Sequence, residues 1–334
     1  MTSTASSRLR TPEEIALNAG AQFTRLLPPA ADVFAARALR LRELAAGHAM
    51  RDYLMLMALV CEAQHQRLAH YPATPLPSEA DADAASQAGQ PLLNIASWPR
   101  AAVWRDETRA LLDQVLGHLP ADSPARPAVQ ALRSWSDEQL EQQAERLLSG
   151  ITLGLDLAAA PFLAAGLQLY WTHLARSTAS AQRQPFGITQ EVGHCPCCGS
   201  LPTASVTRVG GQAEGQRFLH CALCNAEWHM VRVKCTHCQS TGGIHYQSLR
   251  AMDAATPAEG QPAREAIQAE TCDSCGHYLK IVHMDQNLHV DPIADDLASL
   301  TLDLLVSEAG FTRHGVNFML LFGDGGDAPA QGGG

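Results

Sequence analysis

Lysine is almost missing from this chain. Lys234 and Lys280 are the only two among 334 residues, and 24 basic residues in all face 34 acidic ones, for a formal net charge of -10. Binding to nucleic acid phosphates or anionic lipid requires a basic face, so this balance argues against both, and with them against a nucleic-acid-binding zinc ribbon. Also absent are a nucleophile–base pattern, a phosphate loop and paired catalytic carboxylates. An enzyme built on this chain would draw its chemistry from metals, and the expectation is a protein that is not an enzyme. The opening MTSTASSRLRTPEEIALNAG has no apolar h-region and no twin arginine, which predicts a cytoplasmic protein. The run from Ile151 to Trp171 is long enough to cross a bilayer. Asp156, Pro161 and many small residues within it fit a buried core helix better, so no membrane insertion is expected.

What the chain does have is cysteine in pairs. Four CxxC motifs, Cys195/Cys198, Cys221/Cys224, Cys235/Cys238 and Cys272/Cys275, fall within 81 residues. Each places two sulfurs on one side of a tight knuckle, and two knuckles complete a tetrahedron suited to zinc or a single iron. In a reducing cytoplasm such pairs are metal ligands rather than disulfides. The gaps between knuckles are 22, 10 and 33 residues, and the region repeats itself: Cys221-Ala-Leu-Cys224 leads to Met230-Val231 as Cys272-Asp-Ser-Cys275 leads to Ile281-Val282. The repeat favours sequential pairing. Cys195, Cys198, Cys221 and Cys224 then form one site, and Cys235, Cys238, Cys272 and Cys275 the other. A cross-braced arrangement, first knuckle with third and second with fourth, uses the same ligands and stays open. Cys195-Pro196-Cys197-Cys198-Gly199 is a knuckle common to rubredoxin-like loops and zinc ribbons, so spacing alone leaves the metal undecided between iron and zinc.

The predicted fold class is α+β and multidomain: an all-helical domain, two small rubredoxin-like or zinc-ribbon-like four-cysteine modules, and a C-terminal helix. Boundaries fall at 1–183 for the helical domain, 184–193 for a linker, 194–234 and 235–291 for the modules, 292–322 for the C-terminal helix and tail segment, and 323–334 for a disordered Gly-rich tail. Leu54, Met57, Ala58 and Cys61 at i, i+3, i+4 and i+7 mark the core face of a long helix beginning near Asp32, with Cys61 as core packing. Residues 71–94 read as a mobile surface loop. Ser136 and Gln139 form a capping box for a helix ending near Gly150. Strands are predicted around Trp228–Val233, Tyr246–Leu249 and Tyr278–Val282, and a surface insertion at Ala254–Ala263. An amphipathic helix starts at Ala294 and ends at Gly310, with Asp295 and Asp296 suiting its positive N-terminus.

Lesser candidates surround the knuckles. Cys197 is read as a small residue pointing away from the sulfur pair, with an exposed, reactive thiol as the alternative. His194, His220, His229, His237 and His277 are read as supporting or surface residues. Either lysine can offset thiolate charge. His48 and Asp52, four apart, suit an ordinary pair on one helix face.

Taken with their neighbours, these residues resemble the bacterial formate dehydrogenase accessory proteins of the FdhE type over most of the chain. In the helical part the resemblance rests on Arg37-Ala38-Leu39-Arg40-Leu41, Gly47-His48, Asp52-Tyr53-Leu54, Pro161-Phe162, Leu167-Gln168 and Tyr170-Trp171. Around the cysteines it rests on His194-Cys195-Pro196, Cys198-Gly199-Ser200, Leu219-His220-Cys221, Glu227-Trp228-His229, Arg232-Val233-Lys234-Cys235 and Tyr278-Leu279-Lys280. Asp295-Asp296-Leu297-Ala298-Ser299-Leu300 with Leu302-Asp303 looks like the family's C-terminal signature. Cys197 stands where that family has an apolar residue, and Asn317-Phe318-Met319-Leu320 replaces a proline-containing N-P-F-L. The resemblance implies a cytoplasmic, iron-binding, rubredoxin-like assembly factor for respiratory formate dehydrogenase. Its partner would be that enzyme's catalytic subunit and its cofactors two metal ions, iron favoured over zinc; a homodimer is left open. The rival reading is a redox-active iron protein acting as electron carrier or oxidoreductase.

Overall fold

A computed structural model describes residues 26–182, 185–187, 189–210, 213–249 and 265–321. The insertion expected at Ala254–Ala263, the Gly-rich tail and the opening segment lie outside them. Alanine- and leucine-rich sequence builds seven helices before the first CxxC: α1 (Val33–Ala45), α2 (Arg51–Ala69), α3 (Glu79–Ala88), α4 (Val103–His118), α5 (Arg126–Arg133), α6 (Asp137–Leu148) and α7 (Ala160–Ala181). The fold is mixed α+β, helical first and sheet-forming after. Helix α7 takes up the second half of the long apolar run, and every residue from Phe162 to Thr172 is buried. A helix apolar on all sides is a core helix. No described helix is long and apolar enough to cross a membrane. Helices α4 and α7 cross at Gly166, where a Cβ would lie 2.1 Å from Thr108 Oγ1.

The capping box is present, with Ser136 accepting from the Gln139 N–H at the start of α6. Two helical expectations change. The helix expected from Asp32 is a hairpin of α1 and α2, because Gly47 takes a left-handed φ of +72° that an ordinary helix cannot continue through. His48 therefore lies in the turn, its Nδ1 accepting from the Met50 N–H and its Nε2 2.9 Å from Ala298 O, while Asp52 pairs with Arg51; the two do not pair with each other. The expected loop at 71–94 contains α3, which buries no residue. Caps hold it: Ser78 and Asp81 form a reciprocal capping box, and Gly89 closes it at φ +62°.

The strands are β1 (Leu26–Leu27), β2 (Pro202–Thr207), β3 (Arg217–Cys221), β4 (Glu227–Met230), β5 (Ile244–Gln247), β6 (Ile267–Cys272), β7 (His277–His283) and β8 (Thr312–Arg313). They form one sheet in the order β1-β4-β3-β2-β7-β6-β5, with β8 beside β7. Two antiparallel meanders, β2-β3-β4 and β5-β6-β7, each carry a cysteine module, and parallel pairing of β2 with β7 joins them at Ser205/Ile281, Val206/Val282 and Thr207/His283. Arg217, fully buried in β3, adds a second weld: it pairs with Glu270 of β6 at 2.9 Å and bonds Lys234 O and Thr236 Oγ1 at the next knuckle.

In place of one C-terminal helix there are two, α8 (Pro292–Ala298) and α9 (Leu300–Glu308), broken at Ser299. Asp291 caps α8, accepting from the N–H groups of Ile293 and Ala294. Asp295 and Asp296 turn inward: Asp295 takes a bidentate pair from Arg40 of α1, and Asp296 meets Lys280, Arg313 and Asn317. Lys280, 1% exposed, points at Asp296 (3.0 Å) and Asp303 (2.6 Å) and so serves carboxylates rather than thiolates. The substituted tail docks through the same lattice, since Asn317 also bonds Ile293 O and the Met319 N–H, and Tyr53 OH donates to Met319 O.

Removing the lysine charge leaves Asp296 and Asp303 to share Arg313 as their cationic partner. Lys280→Met is expected to lower unfolding stability by about 3–5 kcal/mol, measured as a shift of the urea midpoint. Burial opposes ionisation of Asp296, but Arg313 and Lys280 outweigh it and hold its pKa below the ordinary 3.8. A carboxyl depressed in the folded state contributes stability that is complete above its unfolded pKa and is lost as pH falls through the folded value. Asp291 is depressed too, by Arg37 against burial, whereas burial raises Asp295, which acts in the opposite direction. Asp296→Asn protein, less stable at neutral pH, is therefore expected to lose less stability than wild type when melted at about pH 5 and then about pH 3.

Candidate metal centres

All four knuckles share one backbone feature. The residue after each second cysteine is left-handed: Gly199 at φ +79°, Asn225 at +58°, Gln239 at +65° and Gly276 at +67°. Asn225 and Gln239 are the only described non-glycine residues with positive φ. The turn closes back on the first cysteine, with Gly199 N–H to Cys195 O at 2.8 Å, Gln239 N–H to Cys235 O at 3.1 Å and Gly276 N–H to Cys272 O at 2.9 Å. This aims both sulfurs to one side and leaves backbone N–H groups facing them, as from Leu223 and Cys224 to Cys221 Sγ and from Cys238 to Cys235 Sγ. The repeat seen in sequence is a hairpin used twice: β3 and β4 flank the second knuckle, β6 and β7 the fourth.

The sulfurs gather in sequential order. Cys195 lies 3.6 Å from Cys224 and Cys198 3.4 Å from Cys221; Cys235 lies 3.7 Å from Cys275 and Cys238 3.7 Å from Cys272. Within each set of four, all sulfurs lie within 4.8 Å of one another. Metal–sulfur bonds of about 2.3 Å in a tetrahedron require sulfur–sulfur edges of ~3.8 Å, so both sets fit a four-coordinate ion. Four thiolates this close repel, and a central cation removes that cost.

The two clusters differ in surroundings. The first is fully buried, all four cysteines being 0% exposed. Its knuckles are clamped by the helical domain: Leu93 and Ile95 donate backbone N–H groups to Cys197 O and Cys198 O, both at 2.9 Å, and Gln168 of α7 bonds Ala222 O at 2.7 Å. Asn225 donates to Thr172 of α7 and accepts from Arg37 of α1, which also binds Asp291. His220 completes this web between Glu227, Asn225 and Arg37, and Arg208 holds Glu227 from outside. Burial pushes Cys198 and Cys224 up; burial also opposes ionisation of Cys195, but sulfur hydrogen bonds from its neighbours hold it low. Cys197 is 0% exposed, against the exposed-thiol alternative, because the loop at 93–95 covers its knuckle. Cys61 is in the core as predicted.

The second cluster lies at the surface, with Cys238 exposed and Cys275 half-buried. Cys238 is held below the ordinary thiol value, first by the Ser240 N–H, while burial pushes Cys275 up to about 12. His237 and His277 were expected as bystanders, and here they differ from the other histidines. Their rings stack at 3.8 Å and 14°, and one nitrogen of each lies with Cys275 Sγ in a group spanning no more than 4.8 Å. His314, which no sequence signal singled out, stands 5.1 Å from His237. By contrast His229 packs edge-on against Phe218 and His194 pairs with Glu191.

With this geometry in hand, the likeness to known proteins covers both clusters. Residues 23–187 match the family described as FdhE, N-terminal, residues 194–232 match FdhE, central domain, and residues 233–320 match FdhE, C-terminal domain. The chain is 36% identical over 300 residues to a Protein FdhE homolog of Cronobacter sakazakii and to Protein FdhE of Escherichia coli, covering 90% of this chain and 92% of each relative. The crystal structure of the FdhE protein from Pseudomonas aeruginosa matches with a TM-score of 0.74 at 36% identity, over 90% of this chain and 99% of that one. Helical domain, buried cluster and surface cluster thus follow one family pattern, and the chain belongs to the FdhE family.

Proposed function

We propose that this protein is a cytoplasmic accessory factor for a respiratory formate dehydrogenase, holding that enzyme's catalytic subunit while it matures and performing no catalysis itself. The observation that carries the reading is the match to all three FdhE domains in order, which includes both cysteine clusters. We assign Cys195, Cys198, Cys221 and Cys224 to one metal ion and Cys235, Cys238, Cys272 and Cys275 to another. Iron is favoured by the family resemblance, and the sulfur spacing accepts zinc equally. The acidic balance supports a protein partner over nucleic acid. In this reading the buried first ion staples the knuckles to the helical domain, and the surface ion is the one that exchanges with its surroundings.

A second reading, an electron carrier, draws on one observation: exposed Cys238 brings the second cluster to the surface, where electrons can pass. A red protein with reversible bleaching would support it, and a colourless zinc protein would end it.

The two clusters should fail differently. A structural four-thiolate ion contributes on the order of 10–16 kcal/mol of apparent binding free energy. Cys195→Ser/Cys198→Ser is expected to abolish cooperative unfolding and yield aggregated protein. Cys238→Ser/Cys275→Ser should keep the wild-type circular dichroism spectrum and drop metal content from two ions per chain to one. Formate dehydrogenase activity in cells lacking the native protein then tests the role itself. Undiminished activity with folded C238S/C275S would remove the second cluster from the mechanism, and undiminished activity with no protein at all would sink the accessory function.

A further inference from the structure

Four of the chain's 14 histidines, drawn from four separate segments, converge on one side of the second cluster. His237 sits inside the third knuckle and His277 follows the fourth. His314 follows β8, and His194 precedes the first knuckle. His314 lies edge-on to His237 at 5.1 Å and to His194 at 6.5 Å, so the rings form a line from the Glu191–His194 pair at the surface to Cys275. The carbonyl of Cys275 can only accept, so the 2.9 Å contact makes Nδ1 of His277 the donor and leaves Nε2 as the ring nitrogen open to a ligand. His314 Nε2 is buried without a hydrogen-bond partner among the described residues. Beside these rings lies a cavity of about 10 Å³, bordered by Cys235, Cys272, Glu270, His237, His277 and His314 but not by Cys275. It has room for one water-sized sphere.

We propose that His237, His277 and the Cys275 thiolate form a second, weaker cation site that loads the surface cluster, with His314 beside it to guide the ion in. The proposal rests on reading Cys235, Cys238, Cys272 and Cys275 as a metal site. Two imidazoles and one thiolate suit a borderline divalent ion such as ferrous iron or zinc. In the transfer the ion keeps its bond to Cys275 sulfur, breaks two bonds to imidazole nitrogen and forms three to Cys235, Cys238 and Cys272. Each thiol that binds the ion gives its proton to water, because the imidazoles, stacked at 3.8 Å, cannot both take up positive charge. The charge on the ion is unchanged, so no oxidant or reductant enters. Sharing Cys275 shortens the path to one pivot about a fixed sulfur.

The test uses full-length metal-free protein and cobalt(II) alone, without oxygen, followed by thiolate charge-transfer absorption and ion stoichiometry. H237A/H277A is expected to reach the same two ions per chain as wild type, with the second ion loading about tenfold more slowly. C235S/C238S, which keeps the proposed site, is expected to bind one ion in the first cluster and a second, weaker ion with single-thiolate intensity; adding H237A/H277A should remove that second ion. Equal loading rates for wild type and H237A/H277A, or only one ion in folded C235S/C238S, would overturn the proposal. A wild-type chain that never fills the second cluster would sink the metal reading of those cysteines, while the C235S/C238S arm would still decide the histidine site.

Discussion

The Arg37 guanidinium is the point from which the two halves of this protein are joined. It has no solvent exposure, and from α1 it reaches Asn225 at the end of the second knuckle, His220 in β3 and Asp291 at the cap of α8. A buried cation is costly unless its charge is matched and its donors are paired; Nε and Nη2 of Arg37 are paired, while Nη1 has no partner among the described residues. Here that requirement fixes three elements at once, because Asn225 and Asp291 are held from their other sides by Thr172 and by the backbone of α8. Arginine, with its planar fork, can serve several acceptors in one plane; lysine cannot. The near-absence of lysine is consistent with a fold whose ion pairs are mostly of this kind, and the one fully buried lysine answers two carboxylates directly.

From that junction follows the burial of the first cluster. Gln168 and Thr172 on α7 are buried polar residues in the middle of an apolar helix, which would be costly without partners. Their partners are Ala222 O and the Asn225 side chain, on the second knuckle. The core helix therefore carries the polar contacts that seat one cysteine cluster, and the helical domain and the first cluster have a common core. The second cluster has no such cover. It is positioned by the sheet through Arg217 and the β2–β7 pairing, and its own outer face stays open.

Local features were legible in the sequence and long-range ones were not. The CxxC spacings, the repeated knuckle-to-strand register, the Ser136 capping box and the core role of Cys61 depend on residues close together in the chain, and all can be read there. The family resemblance extended that reading to the whole chain through short patterns such as Arg37–Leu41 and Asp295–Leu300. The helix break at Gly47 was visible as a glycine but not as a turn, since apolar spacing alone continues across it. Helix α3 was hidden because it buries no side chain and so lacks the periodic signal. Lys280 looked like a counter-charge for thiolates by proximity along the chain, yet its partners arrive from residues 296 and 303, folded back over the sheet. The histidine line draws on residues 194, 237, 277 and 314, and nothing short of the topology brings those together.

The two clusters have the same ligand set, four thiolates from two knuckles, so any difference in their chemistry comes from what surrounds them. Exposure governs how readily water, small ligands or a competing thiol reach the metal, and hydrogen bonds to sulfur together with the local dielectric set the potential of an iron site. In the first cluster the surroundings are apolar core and clamped backbone, which disfavour exchange. At the second, one thiol is open to solvent, another is half-open, and two imidazoles stand beside it. Because β2 and β7 are hydrogen-bonded neighbours, both clusters sit in one frame. With ions bound as proposed, the fold would hold one in a closed core and leave the other accessible, and the division follows from where α7 ends and the open face of the sheet begins, not from the cysteines themselves.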